Sequence, residues 1–554
     1  MPIMTGGQAV VETLLAEGVD TIFGIPGTDN LDIYDALIDH PEIRRIVTRN
    51  EQGAALMAEA YGRVSRRPGI TIATTGPGAA GTIIGLQEAY GSSTPLFVIM
   101  SEIASDYIGK SRGVLHETKD QLGLFSCVTA WSRRAESVEA IPLLIHEAFA
   151  FMRSGRPRPC TLDIPLDILA SSSDVTIQAP YRDKDDGKTH GHSPVVETLD
   201  RIAEALDRVA ERLVRAKHPI LYAGGGVLTS DASSELQTLA ELLRAPVLTS
   251  INGKGAIPED HPLSLGNWGM FEPIRSVVKE SDAVLAVGTR FGNRATGRWA
   301  VEFSPDALMQ IDIDPSEIGK NYPVALGIVV DAKGILRYLV VLLQKQMSHP
   351  SSSTFSVEQI AALRHDVKTQ LCTEGPVEMK LLDDIRKVLP RDTIIANDST
   401  VVTYWGRRSF PVYEPRTFLW PMGSGTIGYG LPAAVGAKVA YPDRPVVAIC
   451  GDGGFLFSCQ ELATAVRYRL AIPILLFNDE AYGVIGHYQR TRFRRDVDID
   501  LANPDFMKFA DAFGVWGVRL DTLDDIAPAI EKALITDRPT IIEVRTHLTP
   551  PSLI

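Results

Sequence analysis

A strand-helix-strand signal in the last third of the sequence constrains the fold more than any other feature. The runs 445–450 and 472–477 are rich in Val, Ile and Leu, which is typical of strands buried on both faces of a parallel sheet. Residues 459–470 between them carry apolar side chains at helical spacing. This order predicts that Asp452 and Asp479 project from the carboxyl ends of neighbouring parallel strands.

Two carboxylates beside a glycine turn suit a divalent cation that also holds a phosphate. Mg²⁺ takes about six oxygen ligands, and Asp452, Asp479 and the carbonyl of Ala481 supply three. The N–H groups of Gly453 and Gly454 are open to a diphosphate, because glycine has no Cβ in the way. The alternative is an ordinary α/β turn whose acidic residue caps a helix.

The triplet Gly451-Asp452-Gly453, followed after 24 residues by Asn478-Asp479, resembles the thiamine diphosphate motif of the acetolactate synthase and pyruvate decarboxylase superfamily. The family usually has Asn-Asn there, and the second residue of the pair binds the metal. Asp479 keeps an oxygen ligand at that place. The resemblance implies thiamine diphosphate and Mg²⁺ as cofactors, held by Gly451, Asp452, Gly453, Gly454, Asp479, Ala481, Tyr482 and Gly483.

Length and composition exclude several classes of protein. The 554 residues are enough for three or four domains, and a hydrophobic content of 45% suffices for large cores. The net charge of −13 argues against nucleic acid and anionic membranes as partners. Five cysteines without metal-ligand spacing, no basic-then-apolar leader and no apolar run of about 20 residues predict a soluble, cytoplasmic protein with reduced thiols.

Alternating strand and helix signals with short glycine-rich turns predict an α/β fold of three doubly wound, parallel-sheet domains. The predicted domains are residues 1–170, 195–345 and 376–554. Two polar stretches, 170–194 and 346–375, are predicted linkers. The other predicted strands are 21–24, 44–48, 69–74, 95–100, 219–223, 246–250, 283–287 and 309–312.

Glu51 lies between a predicted strand and an alanine-rich helix with few other charges. On its own, it is explained as a first-turn acid that the helix dipole favours. The stretch RNEQGAALMAEAYGR, however, resembles the family segment with the glutamate that activates the cofactor, although the family commonly has His where this chain has Asn50. The stretch TTGPGAAG resembles the loop against the pyrimidine ring. This resemblance adds Gly27, Gly76, Pro77 and Gly78 to the predicted cofactor-binding residues.

The resemblance implies that Glu51 hydrogen-bonds the aminopyrimidine ring and so activates the cofactor, whose thiazolium serves as an electron sink. A glutamate in an apolar pocket has a raised pKa and can carry the proton that this task requires. In the family, the glutamate and the diphosphate site come from different subunits. The resemblance therefore implies a homodimer or homotetramer with active sites at the subunit interface.

Within residues 113–118, positions 115–118 read Leu-His-Glu-Thr, where acetolactate synthases carry Phe-Gln-Glu and pyruvate decarboxylases carry Leu-His-His-Thr. The resemblance makes His116 a candidate proton donor or substrate ligand, and a solvent-facing loop histidine is the alternative. Ile427 falls where the family places a bulky residue that bends the cofactor, and core packing is the alternative. Asp398, Ser399 and Gly425 fall near the expected diphosphate, and Tyr482, His487 and Tyr488 near the expected substrate pocket.

Residues 288–297 resemble the acetolactate synthase stretch near FAD and substrate. Related enzymes bind ADP or a CoA tail in this central domain, and others bind nothing, so these three alternatives stay open. Arg290 suits a carboxylate or a phosphate as well as an ordinary surface ion pair.

The resemblance covers almost the whole chain, with the two cofactor motifs about 400 residues apart. It implies a thiamine diphosphate-dependent, non-oxidative decarboxylase or carboligase of 2-oxo acids, most similar in pattern to acetolactate synthase. One alternative is a 2-hydroxyacyl-CoA or oxalyl-CoA lyase, for which the C-terminal segment is short. A benzoylformate-type decarboxylase is another. A non-catalytic binding or scaffold subunit is the third, and the intact Glu51 and Asp452 argue against it.

Overall fold

The first sheet of the computed structural model, which describes residues 3–179, 199–347 and 353–552, has six parallel strands. Their order is β3-β2-β4-β5-β7-β6, and a short antiparallel pair, β1 with β8, lies beside them. The strands are β1 Ile3–Thr5, β2 Thr21–Gly24, β3 Arg44–Val47, β4 Gly69–Ala73, β5 Leu96–Glu102, β6 Trp131–Arg134, β7 Cys160–Pro165 and β8 Ser172–Asp174. The helices are α1 Gly6–Ala16, α2 Leu31–Ala36, α3 Glu51–Ser65, α4 Pro77–Gly81, α5 Ile83–Ser92, α6 Gln121–Phe125, α7 Ala140–Arg153 and α8 Leu166–Ala170.

The central domain has five parallel strands in the order β10-β9-β11-β12-β13. The strands are β9 Pro219–Ala223, β10 Val247–Thr249, β11 Ala283–Val287, β12 Leu308–Asp312 and β13 Leu326–Val329. The helices are α9 Leu199–Arg215, α10 Gly225–Thr229, α11 Ser233–Leu243, α12 Glu272–Lys279 and α13 Ala332–Gln346.

The third sheet has six parallel strands in the order β15-β14-β16-β17-β19-β18. The strands are β14 Ile394–Asn397, β15 Phe418–Leu419, β16 Val446–Gly451, β17 Pro473–Asn478, β18 Trp516–Leu520 and β19 Thr540–Arg545. The helices are α14 Val357–Glu374, α15 Pro376–Val388, α16 Val401–Ser409, α17 Gly430–Ala440, α18 Asp452–Ser458, α19 Leu462–Arg467, α20 Gly483–Phe493, α21 Phe506–Ala512 and α22 Ile526–Leu534. Three parallel sheets with flanking helices confirm the predicted fold class.

The strand order of each sheet reverses near the start of its domain, and ligands of open α/β sheets bind at such a point, beyond the carboxyl ends of the strands. In the first sheet the reversal lies between β2 and β4, and in the third sheet between β14 and β16. The predicted cofactor loops after Gly24, Ala73, Asn397 and Gly451 all leave the sheets at these two reversals. In the central sheet the glycine loop after Ala223 leaves at the corresponding point.

The third sheet joins the other two domains, because successive strand residues face opposite sides of a sheet. Val447 and Ile449 belong to a core shared with the central domain. Val446 and Ala448 belong to a core shared with α3 and α5 of the first domain. The first domain also has a core of its own, on the other face of its sheet.

Two local predictions differ from the structure. The turn at Gly451 is the start of a helix, α18, and a 3₁₀ turn at Cys459–Glu461 separates it from α19, so residues 459–470 are not one helix. Asp452 in the first turn of α18 is favoured by the helix dipole. The helix in the second predicted linker, α14, buries Ile360, Val367 and Leu371 in a core.

Most of the first predicted linker, residues 180–194, lies outside the described residues, as do residues 348–352 of the second. All five cysteines are free thiols, and Cys160 and Cys450 are the buried ones. Among the residues that the structure describes, no helix combines the length and the apolar character needed to cross a bilayer.

The contact between α3 and α17 generates a test with two glycines. A Cβ atom at Gly436 would lie 2.1 Å from the Met57 carbonyl oxygen, so we expect Gly436→Ala to destabilise the protein by about 1–3 kcal/mol. Gly334 in α13 has no atom within 4 Å of its Cβ position, so Gly334→Ala should stabilise by up to about 1 kcal/mol. Thermal unfolding checks both, and equal midpoints for the two variants would contradict the close helix contact.

Candidate cofactor-binding and active site

Glu51 is the first residue of α3, where the side chain of Asn50 caps the helix by accepting the N–H of Gly53 at 2.6 Å. Asn50, whose meaning the sequence left open, is thus the N-cap residue. The glycine loop after β4 lies against Glu51, since a Cβ atom at Gly78 would be 3.1 Å from Glu51 Oε1. Among the described residues, none donates a hydrogen bond to the Glu51 carboxylate, which leaves it available to a ligand.

His116 lies beside the same glycine loop. A Cβ atom at Gly76 would be 2.4 Å from the His116 carbonyl oxygen, and Gly76 has a φ of +64°, so only glycine fits there. The Gly76 N–H donates to Gln121 Oε1 at 2.7 Å. His116 Nδ1 lies 3.2 Å from Asp29 Oδ2, and the histidine side chain is 25% exposed. The structure therefore brings His116, the glycine loop and Glu51 together.

Sequence reasoning missed Asp29 and Gln121. Asp29 follows Gly27, which was predicted to bind the cofactor, by two residues, and that proximity is the only signal the sequence offers. Gly27 itself approaches the end of β4 closely, since a Cβ atom there would be 2.6 Å from Thr74 Cβ. Its N–H donates to Asn30 Oδ1 at 2.8 Å, which shapes the turn.

Asp452 is 2% exposed and accepts the N–H of Gly453 at 2.9 Å. Its other oxygen accepts a hydrogen bond from Asn503 Nδ2 at 2.7 Å, and the same amide reaches Asn478 Oδ1 at 3.0 Å. Asn503 thus ties the ends of β16 and β17 together. Nothing in the sequence pointed to Asn503, because it lies 51 residues beyond Asp452 with no motif around it.

The Asp479 carboxylate lies beside Gly483, where a Cβ atom would be 2.1 Å from Asp479 Oδ2. Burial, and then the negative charge of Asp452, raise the pKa of Asp479 to about 6. Burial also raises the pKa of Asp452. Because each negative charge makes ionisation of the other carboxyl group less favourable, the pair suits a cation between them. The loop is held in place because the N–H of Tyr482 donates to the Ile499 carbonyl at 2.8 Å.

The two glycines after Asp452 also serve close packing. A Cβ atom at Gly453 would be 2.8 Å from the Tyr482 ring, and one at Gly454 would be 2.8 Å from Asp398 Oδ1. These contacts require glycine at both positions, whether or not a phosphate binds there.

The Asp398 side chain, predicted near the diphosphate, is bonded to the backbone of its own loop. It is fully buried and accepts the N–H groups of Ser399, Gly428 and Gly430 at 2.7–3.0 Å. Burial raises the pKa of Asp398 to about 6. Because backbone donors bond both oxygens, this side chain shapes the loop that carries Ile427, and its contact with the diphosphate stays a prediction. Ile427 is half-buried in that loop.

Ser399 and Gly425, two other predicted diphosphate contacts, adjoin each other, since Ser399 Oγ donates to the Gly425 carbonyl at 3.3 Å. Both also line a cavity of about 980 Å³ where the three domains meet. Arg290 lines this cavity and donates to the Gly91 carbonyl at 2.8 Å, and among the described residues it forms no ion pair. Its contact with a carboxylate or a phosphate of a ligand stays a prediction. The other cavity arginines are Arg63, Arg66, Arg67, Arg153, Arg156, Arg294, Arg407 and Arg416.

A second depression of about 520 Å³ lies at the Asp479 loop. Asp479, Ala481 and Gly483 line it together with His487 and His547. His487 is therefore close to the predicted metal ligands, whereas Tyr482 covers Gly453 on another side. In the described part of one chain, no hydrogen bond or ion pair joins Asp452 or Asp479 to Glu51, His116 or the glycine loop after β4.

Family models match all three domains. The model described as "Thiamine pyrophosphate enzyme, N-terminal TPP binding domain" matches residues 4–124. The models of the central domain and of the C-terminal TPP binding domain match residues 206–339 and 398–544. The two TPP binding matches contain Glu51 and Asp452, respectively.

Curated relatives match over nearly full length. "Probable 2-ketoarginine decarboxylase AruI" of Pseudomonas aeruginosa is 37% identical over 98% of this chain and 94% of its own length. "Probable acetolactate synthase large subunit" of Methanocaldococcus jannaschii is 34% identical over 98% of this chain and 92% of its own. "Acetolactate synthase isozyme 2 large subunit" of Escherichia coli is 33% identical over 98% and 95%.

The motifs, the three sheets and these relatives agree on the class of protein. The chain therefore belongs to the thiamine pyrophosphate enzyme family, and it is an acetolactate synthase-like, thiamine diphosphate-dependent enzyme that acts on carbon–carbon bonds of 2-oxo acids.

Proposed function

We propose that this enzyme holds thiamine diphosphate between Glu51 of one protomer and the Asp452–Asp479 group of another, and decarboxylates or joins 2-oxo acids there. The observation that carries the proposal is the Glu51 carboxylate, which accepts no hydrogen bond in the described chain and faces a loop that must be glycine. A carboxylate left free in this way fits the aminopyrimidine ring. When bound, the cofactor supplies an electron sink for the carbon that loses its carboxylate.

We propose Mg²⁺ as the ion between Asp452 and Asp479, with the Ala481 carbonyl as a third ligand. Hard oxygen donors suit this ion, and a double positive charge offsets the burial and the repulsion from Asp452 that raise the pKa of Asp479. Asn503 supports the site by holding Asp452 in position at 2.7 Å.

His116 and Asp29 form the proposed proton-transfer pair. Asp29 accepts from His116 Nδ1, which orients the ring and leaves its other nitrogen to hold or deliver a proton at the substrate. Ile427 provides the apolar support beneath the cofactor. We assign these roles because His116 lies in a loop next to Glu51, and Ile427 lies in a loop next to the predicted diphosphate-binding residues.

We propose that two chains build each active site, in a homodimer or homotetramer. Exposed apolar side chains flank both halves of the site and suit a subunit interface. Leu115 is 77% exposed next to His116, Phe457 is 51% exposed near Asp452, and Ile485 is 50% exposed after the metal loop.

Two substrates are the leading candidates. Pyruvate, alone or with a second 2-oxo acid, follows from the acetolactate synthase names of the relatives. 2-Ketoarginine follows from the name of another relative, and the Asp29 carboxylate near His116 suits its cationic end.

We further propose that the enzyme works in the cytoplasm and that its domains span residues 1–170, 195–345 and 376–554.

We propose that the cavity between the domains binds FAD or another ADP-containing ligand. Its volume of about 980 Å³ is large enough for such a molecule, and its many arginines favour phosphates.

Replacing Glu51 tests the proposed function. We expect Glu51→Gln to bind thiamine diphosphate with Mg²⁺ but to turn over about 10²–10⁴-fold more slowly, because the amide cannot share the proton. Calorimetry measures binding, and assays with pyruvate, pyruvate plus 2-oxobutyrate, 2-ketoarginine and benzoylformate measure turnover. The exposed Glu42 provides a matched control, Glu42→Gln. Full activity of Glu51→Gln would reject the assigned role.

The raised pKa of Asp479 predicts how metal binding depends on pH. Below a pKa of about 6 the carboxyl is protonated in the metal-free protein, so protons compete with the cation and affinity falls as pH falls. We expect about a tenfold loss per pH unit below that value. The titration uses Mg²⁺ alone, so that protonation of the diphosphate does not contribute. Equal affinities at pH 7 and pH 5 would contradict the assignment.

The cavity proposal predicts a bound nucleotide. We expect FAD to bind in a calorimetric titration and to give a band near about 450 nm, the usual flavin absorbance. Arg290→Ala should weaken binding about tenfold, as expected for one lost contact to a charged group, whereas Arg133→Ala, outside the cavity, should not. Tighter binding of ADP or CoA than of FAD would identify the ligand instead, and binding of none of the three would reject the proposal.

A further inference from the structure

Two buried glutamates reach across the contact between the first and third domains. Glu461, in the 3₁₀ turn after α18, is fully buried. Its Oε1 accepts the N–H groups of Arg49 and Asn50, the two residues before Glu51, at 3.0 and 3.1 Å. Gly53 is required for this approach, because a Cβ atom there would lie 2.4 Å from Glu461 Oε1. The third domain thus holds the backbone that leads into Glu51.

Glu88 of α5 makes the converse contact and is also fully buried. It accepts the N–H of Gly423 at 3.0 Å, and the N–H and hydroxyl of Ser424 at 2.7 and 2.8 Å. A Cβ atom at Gly91 would lie 2.3 Å from the Gly423 Cα, so the two backbones touch. The first domain therefore holds the start of the loop that carries Ile427.

The surroundings of Glu88 are polar and well bonded. Glu59 accepts the Tyr429 hydroxyl at 2.8 Å, and the guanidinium of Arg63 donates to the Trp420 carbonyl at 2.8 Å. Burial and then the charge of Glu59 raise the pKa of Glu88, whereas Arg63 opposes this shift. Such a network keeps a buried carboxylate satisfied and fixes its position.

We propose that Glu461 and Glu88, here called the carboxylate clasps, are positioning residues that set the places of Glu51 and of the Ile427 loop in the cofactor site. Hydrogen bonds to backbone N–H groups are directional and short, so they fix the backbone more finely than apolar contact does. Small displacements of reacting groups cost large factors in rate. The roles of Glu51 and Ile427 in this inference rest on the proposed function, whereas the hydrogen bonds of the clasps do not.

The first experiment needs no cofactor. Hydrogen–deuterium exchange of the full-length apo protein should show the amides of Arg49 and Asn50 exchanging at least about tenfold faster in Glu461→Ala, the factor for one lost hydrogen bond. In Glu88→Ala, the amides of Gly423 and Ser424 should show the same acceleration. Each variant should leave the other pair unchanged. Unchanged exchange at the contacted amides would overturn the proposal.

The variants Glu461→Gln and Glu88→Gln both keep the shape of the side chain, but we expect opposite effects on amide exchange. In Glu461→Gln, the remaining oxygen accepts both backbone N–H groups and the new amide donates to the hydroxyl of Thr464, so protection is retained. In Glu88→Gln, one of the two accepting oxygens becomes a donor, so the N–H of Gly423 or of Ser424 loses its partner. Similar exchange in both glutamine variants would contradict this geometry.

The second experiment separates positioning from stability. We expect kcat to fall about tenfold or more in Glu461→Ala and Glu88→Gln, while the affinity for thiamine diphosphate with Mg²⁺ changes less than about threefold, because the diphosphate anchor is untouched. Glu461→Gln should lose less activity than Glu461→Ala. The control, Glu235→Gln, removes a largely buried acid paired with Arg337 in the central domain and should alter only thermal stability.

The outcomes are distinguishable. Faster exchange with an unchanged kcat would show that the clasps only join domains, and would overturn their positioning role. Full activity of Glu51→Gln would reject the proposed function and leave the exchange results as the test of the clasps.

Discussion

The close contact between α3 and α17 fixes the geometry on which the rest of the site depends. The helices approach so closely at Gly436 that a Cβ atom there would lie 2.1 Å from a carbonyl oxygen of α3. Glu51 begins α3, and the loop with Ile427 leads directly into α17. A shift between the two helices would therefore move Glu51 relative to the Ile427 loop of the same chain. A glycine at the crossing permits this distance, which larger side chains exclude.

The three sheets share one topological feature, a reversal of strand order, but the loops at the reversal differ. Each sheet reverses its strand order near the start of its domain, which is where open α/β sheets commonly bind ligands. In the first domain one of these loops carries Gly78, which lies against Glu51, and in the third domain one carries Asp452. In the central domain they border the large cavity. The loop residues differ among the domains, whereas all three domains share a parallel sheet with flanking helices.

Buried carboxylates in this protein are satisfied in two distinct ways. Asp398, Glu88 and Glu461 accept backbone N–H groups, so their charge is compensated within the chain. Asp452 and Asp479 have fewer donors and raise each other's energy. An uncompensated buried charge is costly, which is the reason for proposing a cation at Asp452 and Asp479 and a positioning role for the others.

The sequence by itself determined the fold class, most strand positions and the residues of the two cofactor motifs. Strands 21–24, 219–223 and 283–287 were predicted to the residue, because apolar runs bounded by Gly or polar residues are local signals. Glu51, Asp452 and Asp479 could likewise be found from motifs.

Only the tertiary structure decided the division of residues 459–470, the use of Asp398, and the partners Asp29, Asn503, Glu88 and Glu461. The contacts of these four partners join residues up to 412 positions apart, as in Arg49 with Glu461. No local period or spacing encodes such a pair. It exists because the sheets and helices bring distant backbone donors to a buried acid that must be satisfied.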